Sequence, residues 1–209
     1  MKRFLGAFAL CLGILLSTVT AEAQNAAAPR VLVFYSLNVE NDHVLFALDA
    51  LRFYAELAEK DNFALEATTN LEDFNDKTTR WPWFMQFIGG GVFDANSWPP
   101  LPAVLRVDDR NSPVTDGLPE TFLAPTNEWY RWKPSPRDDS HIHVLVTLDP
   151  SNYPLGIKGL LTFGDIPVVW TNTQYKMVYM NMGHGDKIFT SPVQNTLIKN
   201  ATEWLLGKT

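Results

Sequence analysis

The stretch RVLVFYSLNVENDHVLFALDALRFYAELAEKDNFALEA, residues 30–67, decides how the fold is read. Arg30 to Tyr35 is a nearly continuous apolar run, as in a strand buried on both faces. Ser36 to Asp42 is polar and reads as a loop. From His43 to Lys60, apolar residues recur at Val44, Leu48, Leu51, Ala55 and Ala58, the spacing of an amphipathic helix. Asp42 is placed to cap it. Asp61 and Asn62 end the helix, and Phe63, Leu65 and Ala67 alternate as a second strand. Strand, helix and strand make a βαβ unit, which favours a parallel sheet. In such sheets the crevice used for function lies beyond the carboxyl ends of the strands. The loop after Tyr35 and the helix start at His43 would then border it.

Outward from this unit the elements are shorter. AVLRV (103–107), EWYRW (128–132) and HIHVLVTL (141–148) are strand candidates. Residues 167–171 and 176–182 read as a hairpin, and 191–206 as a closing helix with Val193, Leu197, Ile198, Ala201 and Leu205 on one face. Residues 94–102 hold three prolines and are expected to form no regular element. Upstream, Lys2 and Arg3, the apolar run from Phe4 to about Leu16, and Ala21-Glu22-Ala23 have the layout of a secretory signal peptide over residues 1–23. Residues 24–29 then form a linker, and residues 30–207 one domain in the periplasm or outside the cell.

Composition excludes several functions. The single cysteine, Cys11, lies in the signal, so disulfides, thiolate zinc sites and cysteine nucleophiles are ruled out of the mature chain. Lys2, Arg3 and Glu22 leave with the signal, which takes the formal charge from −6 to −7. An acidic domain without a basic cluster is a poor partner for nucleic acid or an anionic membrane. All seven Trp remain, and aromatic surfaces commonly meet sugars. Gly89-Gly90-Gly91 lacks the Lys-Ser/Thr of a phosphate loop, and neither a GxSxG elbow nor HExxH occurs. His141 and His143 share one face of a strand, where pairing and packing is favoured over zinc chelation.

Several strings become informative in order. They are RVLVFY with a histidine opening the next helix, Trp81-Pro82-Trp83-Phe84 before glycines, VDDRNSPVTDGLP (107–119), Asn127-Glu128-Trp129-Tyr130, VLVTLDPSNYP (144–154), Pro167-Val168-Val169-Trp170 and Gly183-His184-Gly185. Over residues 30–207 this series resembles the trehalose-utilisation (ThuA-like) family of the class I glutamine amidotransferase-like superfamily. The resemblance implies a flavodoxin-like α/β three-layer sandwich with a mostly parallel sheet. It also implies that a central βα segment is lacking, because Phe74-Asn75-Asp76 runs almost directly into Trp81. The family's reactive turn would sit in that segment and cannot be carried over.

Three positions do carry over from the resemblance: His43, Glu128 and His184. Two imidazoles and a carboxylate could hold a divalent metal such as zinc, or act as acid and base on a sugar hydroxyl or carbonyl. Trp129, Tyr130 and Trp83 are the candidate sugar-stacking residues. The resemblance implies carbohydrate utilisation, with a sugar or keto-disaccharide as the ligand. The alternative is a non-catalytic carbohydrate-binding module or an inactive, shortened family member.

Overall fold

In the computed structural model, which describes residues 28–69, 84–89, 91–158 and 161–209, the opening segment forms the expected unit. Strands β1 (Arg30–Phe34) and β2 (Ala64–Thr68) pair in parallel, and helix α1 (Asn41–Asp61) crosses between them. The helix ends at Asn62, whose left-handed backbone (φ 53°) lets its N–H reach the Ala58 carbonyl. At the other end Glu40, not Asp42, occupies the cap position, and its side chain makes no capping hydrogen bond. Asp42 sits in the first turn, where a carboxylate complements the helix dipole. The buried stripe is also turned by about one position from the expected one. Ala47, Ala50 and Leu57 are buried, Phe46, Phe53 and Tyr54 pack on the core, and Leu48 stays 50% exposed. The aromatic residues have the most apolar area to bury, and they set the rotation. His43 lies one turn before Phe46 and Ala47, so this rotation brings it to the inward side.

Beyond that unit the parallel expectation fails. Of six strand pairings among the described residues, only β1–β2 is parallel. Strand β3 (Val92–Asn96) pairs with β6 (Tyr130–Lys133) as an antiparallel ribbon. Strands β4 (Leu101–Val107), β5 (Thr121–Asn127), β7 (Ile142–Leu148), β8 (Pro167–Asn172) and β9 (Val178–Met180) form one sheet in the order β5-β4-β7-β8-β9, antiparallel throughout. The flavodoxin-like sandwich with a mostly parallel sheet is therefore corrected to a largely antiparallel α+β arrangement. The physical reason lies in the connections. Parallel neighbours need a crossover of a dozen or more residues, usually helical. After α1, the described α-helices are only the short α2 (Phe84–Ile88) and the closing α3 (Pro192–Leu205), and the other described helical turns are three-residue 3-10 segments. The expected gap at residues 74–81, the signal peptide and Trp83 lie outside the described residues, as does most of the linker.

The proline-rich stretch 94–102 also departs from expectation. It holds the end of β3 and the start of β4. Pro102 falls at a register shift between Leu101 and Ala103, where β4 has only β5 beside it, so no ladder bond is lost. The hairpin β8–β9 and the helix α3 form where the periodicity places them. Ser191 caps α3 by accepting from the Gln194 N–H, and Pro192 takes the first helical position. Leu197, Ile198 and Ala201 belong to the same buried cluster as Leu105, Leu145, Val146, Val168 and Val169 of the five-stranded sheet.

His141 and His143 do not converge on a ligand. Each pairs with its own carboxylate, His141 with Asp139 at 3.1 Å and His143 with Asp109 at 2.8 Å. Nearby, Arg137 joins Asp108 (2.6 Å), Asp165 (2.8 Å) and the Thr147 hydroxyl (2.7 Å). Burial works to raise the Asp108 pKa, but hydrogen bonds from Thr147, Arg137 and Arg106 outweigh it and hold the carboxyl below its ordinary value. A carboxylate with a depressed folded pKa stabilises the fold above its unfolded pKa, near 3.9, and loses that stabilisation as pH falls through the folded value. Denaturant stability should thus fall between about pH 5 and pH 2, with a shallower fall in Asp108→Asn. An unchanged slope in that variant would remove Asp108 from the acid response.

Candidate functional site

The site is built where the ribbon leaves the large sheet. Only Glu128 and Trp129 separate β5 from β6. Their side chains part. Trp129 is fully buried, donates its indole N–H to the Leu101 carbonyl at 2.9 Å, and belongs to the core cluster. It was expected to offer a stacking face to a sugar; an indole with no exposed surface cannot. Glu128, 8% exposed, lines a cleft. Its carboxylate accepts from the Asn96 amide and from the Tyr130 hydroxyl at 3.1 Å. Tyr130 is thus a partner of Glu128 at the cleft. Burial, then the Glu128 charge, pushes its phenol pKa far above the ordinary value, so it remains a donor.

Two buried asparagines hold this corner together. The Asn127 amide donates to the Asn181 carbonyl at 2.8 Å and to the Glu128 carbonyl at 3.0 Å, while its oxygen accepts the His184 N–H at 3.2 Å. Asn181 donates back to the Glu128 carbonyl at 3.0 Å. The loop carrying His184 is thereby tied to the bend carrying Glu128. Asn127→Ala takes the partner from the Asn181 carbonyl and the His184 N–H, leaves the Glu128 carbonyl with Asn181 alone, and should cost about 2–4 kcal/mol in a denaturation measurement. A cost under ~1 kcal/mol would show that the corner is held by packing instead.

His184 follows β9 by four residues. Gly185, at φ +88°, takes a left-handed turn that lets its N–H bond the Asp42 carbonyl of α1 at 3.1 Å. The loop is thereby pinned to the first turn of the helix that bears His43. His184 lies between two glycines in this loop. It is 3% exposed, packed edge to face with His43 (ring centroids 5.1 Å apart, 89°) and Trp98 (6.5 Å, 87°).

Three of the sequence-derived positions therefore meet. His184 Nδ1 lies 3.4 Å from His43 Nε2, 3.5 Å from Glu128 Oε2 and 3.8 Å from Glu40 Oε1. Glu40 Oε1 is also 3.6 Å from His43 Nδ1. Donor atoms of Glu40, His43 and His184 fall within 4.8 Å of one another, a spacing that could hold a metal ion. Bonds of about 2.0–2.1 Å in tetrahedral zinc put neighbouring ligand atoms roughly 3.3–3.4 Å apart. The imidazole pair already stands at that separation, and the carboxylates stand slightly wider. On the far side of the ring, His184 Nε2 is buried without a hydrogen-bond partner. Asp42 Oδ2 lies 3.0 Å away but out of hydrogen-bond geometry. A small turn of Asp42 would satisfy Nε2–H and leave Nδ1 free as the ligand, the arrangement usual for metal-bound histidines.

Sequence reasoning missed Glu40, Asn96, Trp98, Tyr179 and Asn181. Glu40 alone had a visible signal: it precedes His43 by three residues at a helix start, which places both on one side of the turn. The cleft itself is about 180 Å³ and is lined by His43, Glu128, Tyr130, Tyr179, Met180 and His184 among others. That is below the roughly 300–1,000 Å³ usual for small-molecule pockets, so it admits one ring or the end of a longer molecule.

Comparison with known proteins supplies the family. The family model for ThuA, described as trehalose utilisation, matches residues 76–205. A crystal structure of a ThuA-like protein from Bacteroides uniformis ATCC 8492 superposes with a TM-score of 0.81 at 39% identity, covering 90% of this chain and 96% of that one. A ThuA-like protein from Parabacteroides merdae ATCC 43184 shares the fold alone, with a TM-score of 0.54 and 14% identity over 86% of this chain and 91% of that one. The search of curated proteins returns no match.

Proposed function

Because the chain belongs to the ThuA family of trehalose utilisation, we propose that the cleft at His43 and His184 holds a divalent metal and, against it, a neutral sugar derivative such as a keto-disaccharide. The observation that carries this is the shell around His184 Nδ1, with one imidazole and two carboxylates at 3.4–3.8 Å. His43, His184 and Glu40 are the residues that would hold the ion. When bound, a metal of this kind supplies a Lewis acid that polarises a carbonyl or acidifies a hydroxyl. Glu128, fixed by Asn96 and Tyr130, is placed to take and return a proton beside a sugar carbonyl. The signal-like residues 1–23 support an exported, periplasmic protein.

The test follows a keto derivative of trehalose in D2O by NMR, with zinc-loaded protein. Deuterium should enter at the carbon beside the carbonyl, and Glu128→Gln should stop it. The small cleft favours a second reading, a non-catalytic sugar-binding module. Sugar binding without exchange would establish that reading. Binding of neither zinc nor sugar would end both.

A further inference from the structure

Two tyrosines line the cleft, Tyr130 and Tyr179, and their phenols stand close enough to interact electrostatically. The Tyr130 proton is committed to Glu128. The Tyr179 hydroxyl has no hydrogen-bond partner among the described residues. Its ring is firmly held. Tyr179 faces Trp170 across the β8–β9 pairing, stacked at 3.9 Å and 19°, and meets Trp132 edge-on at 5.7 Å. Trp170 is anchored in turn through its indole N–H to the Ile88 carbonyl at 2.9 Å. A rigid ring with an open hydroxyl is a pre-organised contact, because little side-chain freedom is lost on binding. Burial pushes the Tyr179 phenol pKa far up, so the group stays protonated and can donate.

The charges around the cleft point one way. Glu128 lines it, and Glu40 and Asp42 stand 3.8 Å and 3.0 Å from the His184 ring. No Lys or Arg is among the described lining residues. A phosphate or carboxylate entering here would lose water, find no cationic side chain, and meet the Glu128 carboxylate with Glu40 and Asp42 close to the His184 ring, three charges that one divalent ion does not cancel. Met180 and Met182 offer apolar contact to the C–H face of a ring.

Resting on the reading that this cleft takes a sugar, we propose that it selects neutral sugars over phosphorylated or acidic ones, and that Tyr179 reads the sugar by donating its hydroxyl to a sugar oxygen. Tyr179 is then a binding residue distinct from the metal-holding set. Tyr179→Phe keeps the stacked ring and removes only the donor.

The experiment titrates zinc-loaded wild type and Tyr179→Phe with trehalose, trehalose 6-phosphate and glucuronate by saturation-transfer NMR. Zinc affinity is measured in parallel by calorimetry. Wild type should bind trehalose at least ~10-fold more tightly than either anion. Tyr179→Phe should lose about five- to tenfold for trehalose, the range of one hydrogen bond, with zinc affinity unchanged. Equal trehalose binding by the variant, or equal binding of the phosphate by wild type, overturns this proposal and leaves the sugar reading standing. Wild type that binds zinc but none of the three sugars overturns the sugar reading and this proposal together.

Discussion

His184→Gln is expected to weaken zinc binding by more than ~100-fold, because His184 Nδ1 stands close to each of the other three residues of the cluster. It lies 3.4 Å from His43 Nε2, 3.5 Å from Glu128 Oε2 and 3.8 Å from Glu40 Oε1. Loss of a group that merely orients a ligand costs roughly 10–100-fold in metal affinity, and loss of a ligand costs more. The folding cost should be small by comparison, about 1 kcal/mol. Glutamine preserves the backbone N–H to Asn127 and removes a ring nitrogen that is buried without a partner. His43→Gln should act in the same direction, since His43 supplies the second imidazole. Competition against a chelator of known affinity reads both variants. A zinc affinity unchanged in His184→Gln would place any bound metal elsewhere.

The second large effect concerns stability. Trp129→Ala should cost about 4–5 kcal/mol, a large part of the 5–15 kcal/mol that holds a domain folded. The indole is fully buried in the main core cluster, and its N–H satisfies the Leu101 carbonyl. Truncation leaves a cavity the size of an indole and a carbonyl without its donor. Trp129→Phe keeps most of the apolar area but not the donor, and should cost roughly 2 kcal/mol. Urea midpoints measure both. In Trp129→Phe, sugar binding should be unchanged, which separates a core residue from a stacking wall. Loss of sugar binding at unaltered stability would return Trp129 to the cleft.

Local features were readable where one element dictates its own pattern. The 30–67 unit, the β8–β9 hairpin and α3 all follow apolar periodicity and short connections. Strand direction in the large sheet was not readable, because pairing is set by contacts distant in sequence, and one parallel unit at the start was extended to the whole chain. β5 was hidden by Pro125, which breaks the strand pattern. The strand tolerates it because β5 is the outer strand of its sheet and its register skips that residue. β3 lacks a clean alternation in Phe93-Asp94-Ala95-Asn96 and was lost in the proline-rich stretch.

The candidate site was legible in its three central residues through the resemblance, since His43, Glu128 and His184 stand in recognisable strings. The directions of their neighbours were not. EWYRW alternates as though it were one strand, yet the chain bends at Glu128-Trp129, sending Trp129 into the core and Glu128 into the cleft. Tyr179 became visible only once β9 was paired with β8 and its ring laid against Trp170.

X-ray absorption at the zinc edge, on the full chain loaded with one equivalent of zinc, tests the account most directly. The expected spectrum shows two imidazole nitrogens and one or two carboxylate oxygens at about 2.0–2.2 Å, with His43→Gln reduced to a single imidazole. Zinc that fails to bind at one equivalent, or a shell holding fewer than two imidazoles in the unaltered chain, would contradict it.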